Sequence, residues 1–110
     1  MTNGKQKGKR GELELAAVFR AYGFSGARRG QQFKGTPDSP DIVDSPPGHH
    51  VECKRVEALQ LHAALDQAAK DAGPTETPLV CYRKNGKEWV AILYLADYLK
   101  MLKEPRWRIT

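Results

Sequence analysis

The hydrophobic patterning of this chain predicts an α/β domain: one central mixed β-sheet flanked by helices. Three observations carry the expectation. A helical stripe opens the chain, a second lies in its middle, and short apolar runs bounded by turn signals fall between and after them. The length of 110 residues suits one domain, and 40% hydrophobic content supports a small core that would gain from oligomerisation.

The elements follow in order. Residues 12–22 read as a helix, because Leu15, Val18, Phe19 and Tyr22 recur at i, i+3, i+4 and i+7. Gly23 then serves as a C-terminal cap residue. Residues 25–40 read as a loop. Residues 41–44 and 50–55 read as short strands around the turn Ser45-Pro46-Pro47-Gly48. Residues 58–72 read as a second helix, with Leu61, Ala64, Leu65, Ala68 and Ala72 on its buried side and Gly73-Pro74 as its stop. Residues 79–83 and 88–95 flank Lys84-Asn85-Gly86-Lys87, and Asn-Gly between apolar runs predicts a hairpin. A short last helix is expected over 96–102.

Charge is unevenly spread. The formal net charge is +5, of which residues 1–10 carry +4 through Lys5, Lys7, Lys9 and Arg10. Residues 103–110 carry +2, which leaves residues 11–102 at −1. The expected organisation is a basic flexible arm (1–10), a domain (11–102) and a basic tail (103–110). Basic ends suit a polyanionic partner, most often nucleic acid. No apolar run approaches the roughly 20 residues of a membrane span, and no apolar segment of a secretory signal follows the basic start. Cys53 and Cys81 are too few for a disulfide framework. A cytoplasmic protein with no membrane association is the expectation.

Three features carry chemistry. Pro40-Asp41 opens one strand, and Glu52-Cys53-Lys54 lies in the middle of the next. Alternation puts Glu52 and Lys54 on one face of that strand and Val51 and Cys53 on the other. Pairing across the Pro-Pro-Gly turn would let Asp41 approach Glu52. Two close carboxylates repel unless a cation lies between them. Mg²⁺ suits the position: a hard ion that takes one or two carboxylates and keeps room for a substrate phosphate. Lys54 is placed to orient a water or to stabilise charge on the phosphate. The third feature is Glu12, about 70° from the centre of the first helix's apolar stripe, with Glu14 about 90° away on the other flank.

Pro40-Asp41 followed by Glu52-x-Lys54 resembles the PD-(D/E)xK nuclease signature. The opening Gly11-Glu12-Leu13-Glu14-Leu15, with Gly23-Phe24, resembles the first helix of Hjc-type Holliday junction resolvases and related phage nucleases, and the likeness spans roughly residues 8–95. The resemblance implies a restriction-endonuclease-like fold and Mg²⁺-dependent hydrolysis of phosphodiesters, with Mn²⁺ as a possible substitute. It implies Asp41 and Glu52 as metal ligands, the Cys53 backbone carbonyl as a third, Lys54 as the catalytic lysine, and Glu12 as the helix acid that helps hold metal or water. It also implies Gln67, on the helix after the second strand, as an assistant. A four-way DNA junction needs two symmetric cuts, which implies a homodimer, and a phage-encoded enzyme would act in the host cytoplasm. Nickase, flap or end-processing, and restriction-like activities stay open beside resolution, as does a DNA-binding module without catalysis.

Arg28, Arg29 and Lys34, in the loop leading to Asp41, are expected with Lys5, Lys7, Lys9 and Arg10 to contact phosphates. His49, His50, Cys53 and Cys81 raise the question of zinc. They lack the closely spaced ligand pairs of structural zinc sites, and buried thiols account for the cysteines better.

Overall fold

A computed structural model describes residues 4–30 and 39–104. Helix α1 spans Gly4–Ala21, and strands β1 (Arg28–Arg29), β2 (Ile42–Val43) and β3 (His49–Arg55) follow. Helix α2 (Leu61–Asp71) leads to β4 (Thr77–Arg83), β5 (Val90–Ile92) and α3 (Leu95–Lys103). The five strands form one mixed sheet in the order β1-β2-β3-β4-β5, with β3 and β4 parallel and the other neighbours antiparallel. The α/β expectation of a mixed sheet flanked by helices is met.

β3 and β4 form the centre because both of their faces are covered. On one face, Leu15 and Ala16 of α1 pack with Ile42, Val51, Leu79 and Cys81. On the other, Ala64, Leu65 and Ala68 of α2 pack with Val80. Residues 79, 80 and 81 thus feed opposite layers in turn, as period-two alternation requires. A helix is needed between parallel neighbours, and α2 supplies that crossover.

Three expectations are corrected. α1 begins at Gly4, so the backbone of residues 4–10 is helix and not a flexible arm. Lys, Gln and Arg favour helix, and no proline interrupts them. The buried side of α1 is also rotated from the expected stripe: Gly11, Glu12, Leu15 and Ala16 are buried, while Tyr22 is exposed. Finally, residues 28 and 29 lie in a strand inside the expected loop, pairing with Val43 and Ile42. Two residues are too few for a hydrophobic period to reveal. The Asn85-Gly86 hairpin forms as expected, with Gly86 at φ 76°. The C-terminal tail from residue 105 lies outside the described residues. No helix among the described residues is long and apolar enough to cross a membrane.

Gly11 sets the distance between α1 and the sheet. A Cβ there would lie 2.5 Å from Arg55 Cβ. Gly8, one turn earlier, has nothing within 4 Å of an added Cβ. Gly11→Ala is therefore expected to destabilise by about 1–3 kcal/mol through overpacking. Gly8→Ala is expected to stabilise by up to about 1 kcal/mol through helix propensity. Urea unfolding of the two variants beside the parent chain checks both signs.

Candidate metal centre

The centre starts from a register. Ile42 of β2 is paired with Val51 of β3, and the Asp41 N–H donates to the Val51 carbonyl at 2.9 Å. Just before β2, the Asp41 carboxyl makes a hydrogen bond with Glu52. The Cys53 N–H donates to Asp41 Oδ2 at 2.8 Å and fixes the side chain. Burial pushes the Asp41 carboxyl up to about 7, the Glu52 charge adds to it, and the Cys53 amide works against it. The Glu12 charge and a hydrogen bond with Glu52 raise it further. Two crowded carboxylates are the arrangement a divalent cation relieves.

Lys54 follows on the same face, two residues along β3. It lines a cleft of about 280 Å³ with Leu59, Gln60, Ala64 and Gln67. The lysine therefore stands at the wall of an open space. Cys53 offers Asp41 its amide N–H. Its side chain lies on the α1 face near Gly11, and burial, with the Asp41 charge, raises its pKa and keeps it a thiol.

Glu12 is buried, 8% exposed, and its carboxylate is met by an arginine. Arg29 Nε donates to Glu12 Oε1 at 2.8 Å. Strand pairing explains the contact: Arg29 lies opposite Ile42, on the α1 side of the sheet, where the rotated helix presents Glu12. The Arg29 side chain is 12% exposed, so it is an internal counter-ion and not the surface phosphate contact expected of it. Arg28 is more open and pairs with Asp44. Glu14, the flanking acid, pairs with Arg55 and Arg83. Lys9 and Arg10 are exposed on α1. Lys34 and the side chains of Lys5 and Lys7 lie outside the described residues.

A second set of groups converges on Glu52. His50 is 1% exposed, and its Nε2 lies 2.7 Å from Glu52 Oε2. That hydrogen bond raises the imidazole's pKa above its ordinary value, against the opposing effect of burial. Ligand atoms of His50, Glu52 and Asp71 all lie within 4.8 Å of one another, so this group could hold a metal ion. Gln67 joins it indirectly: its Nε2 donates to Asp71 Oδ2 at 2.9 Å, one helical turn on. Gln67 does stand near the centre, but what it holds is Asp71.

Sequence reasoning weighed His50 for zinc and set it aside, and it missed Asp71. The signal for His50 was present: it stands two residues before Glu52 on one strand, hence on the same face. Asp71 carried no comparable signal, because only the packing of α2 on the sheet brings its C-terminal end over His50.

No protein-family model, curated protein or solved structure matches the chain, so the reading rests on this geometry. The raised Asp41 pKa has a signed consequence. The folded chain holds this proton more tightly than the unfolded one, whose group titrates near 3.8. Metal-free stability therefore falls as pH rises from about 4 to about 7, and the loss is complete above that window. Asp41→Asn keeps an oxygen for the Cys53 amide and removes the charge. It is expected to stabilise the metal-free protein by on the order of 2 kcal/mol near pH 8 and by little near pH 4. Urea titrations at the two pH values measure this.

Proposed function

We propose that the chain is a metal-dependent DNA endonuclease of the restriction-endonuclease-like fold, hydrolysing phosphodiesters with a preference for branched DNA such as a four-way junction. The observation that carries the reading is the contact of the Asp41 carboxyl, just before β2, with Glu52 of β3, with Lys54 two residues on along β3. The order helix, three antiparallel strands, helix, parallel strand also supports it.

Mg²⁺, or Mn²⁺ in its place, would be held by Asp41 and Glu52 and would supply Lewis-acid stabilisation and an activated water. The chain's own residues do the rest. The Cys53 amide holds Asp41 in place. Lys54, at the cleft wall, orients the water or meets charge building on the phosphate. Glu12 acts at one remove, neutralising Arg29 beside the carboxylates. Lys9 and Arg10 offer exposed charge for the backbone of the DNA, so binding is expected to weaken steeply with salt. A homodimer supplies two active sites for paired cuts. Its candidate contact is the half-exposed stripe Leu95, Tyr98, Leu99 and Leu102 of α3, spaced at i, i+3, i+4 and i+7.

One panel tests the reading. Purified protein is incubated with Mg²⁺ and a four-way junction, a splayed arm, a nicked duplex, plain duplex and single strand. Cleavage is expected with metal, strongest on the junction and at paired positions. Asp41→Asn, Glu52→Gln and Lys54→Ala are each expected to slow it by at least about 100-fold while binding survives. Binding without cutting by the parent chain would sink the catalytic reading, and equal cutting of single strand and plain duplex would remove the structural preference.

A further inference from the structure

We propose that His50, Glu52 and Asp71 form a second divalent-cation site, beside the Asp41–Glu52 pair, that takes a borderline metal of the Zn²⁺, Co²⁺ or Mn²⁺ class in preference to Mg²⁺. The proposal rests on the nuclease reading only in calling the site second. Its donors are one imidazole nitrogen and two carboxylates whose ligand atoms lie within 4.8 Å of one another. Imidazole suits first-row transition metals, whereas Mg²⁺ takes oxygen ligands and keeps its waters.

The surroundings have the form of a built site. His50 is 1% exposed on a central strand, so its ring cannot swing away. Glu76 Oε1 lies 3.8 Å from His50 Nδ1, on the side of the ring away from the site. That oxygen accepts from the Gly73 N–H at 2.6 Å, so at this distance it adds negative charge beside the ring and no hydrogen bond to it. Gln67 Nε2 donates to Asp71 Oδ2 at 2.9 Å, an exposed contact one turn back along α2. Charge argues the same way. Three carboxylates, Glu52, Asp71 and Glu76, converge on one imidazole, which can carry at most one positive charge. A divalent ion balances them better than a proton does. Glu52 belongs to both sites, so the two ions would be linked through one carboxylate.

The test reads metal binding on the full chain without DNA. The sequence has three histidines, His49, His50 and His62, so nitrogen chemical shifts can be followed one by one. Adding Zn²⁺ to the unaltered protein is expected to shift the His50 Nε2 resonance and leave His49 and His62 in place, while Mg²⁺ at the same concentration moves His50 less, through the shared Glu52 alone. Co²⁺ is expected to give visible absorption bands that His50→Gln and Asp71→Asn abolish and Asp41→Asn retains. Gln67→Ala is expected to weaken Co²⁺ binding about tenfold. No Zn²⁺ shift at His50, a shift only at His49 or His62, or undiminished Co²⁺ bands in His50→Gln and Asp71→Asn would overturn the site. A Mg²⁺ shift at His50 as large as that of Zn²⁺ would overturn its selectivity. Absent DNA cleavage alongside the His50 signature would count against the nuclease reading alone.

Discussion

The pairing of Ile42 with Val51 between β2 and β3 is the constraint on which the polar interior depends. It brings the Asp41 carboxyl to Glu52 and puts the Cys53 amide within 2.8 Å of it. A one-residue slip would move Asp41 to the other face of the sheet and Ile42 out of the core. Ile42 and Val51 are 1% and 0% exposed, so the apolar packing that stabilises the fold also enforces the register that crowds the acids. The fold thereby holds together two carboxyls that repel each other.

Helices α1 and α2 then each bring one further charged group to that strand pair. α1 packs closely through Gly11 and delivers Glu12, which Arg29 meets from β1. α2 lies on the opposite face through Ala64, Leu65 and Ala68, and its C-terminal end brings Asp71 to His50. Glu52 stands where these influences join, touched by His50 on one side and Asp41 on the other. The surplus positive charge of the sequence mostly lies elsewhere, at the ends of the chain. The acids are gathered inside, and the arginine nearest to them is consumed as their counter-ion.

A cation therefore fits the energetics of the fold as well as its proposed chemistry. Without one, Asp41 is held as an acid up to about pH 7 and Glu52 leans on His50. With one, the same register becomes favourable, because binding to the folded state alone adds to stability.

Much of this was legible in the residues. Period-two alternation placed Glu52 and Lys54 together, the Pro-Pro-Gly turn implied that Asp41 would return beside them, and Asn85-Gly86 announced the last hairpin. These signals are local: each depends on neighbours a few residues apart. What only the tertiary structure decided is non-local. The rotation of α1 that buries Glu12 follows from the close approach at Gly11, and the Arg29–Glu12 pair from a two-residue strand too short to show a period. Asp71 reaches His50 because a helix in a parallel crossover runs back along its strand, so its far end returns to that strand's beginning. Sequence by itself determined which faces carry the chemistry, and packing decided which groups on those faces meet.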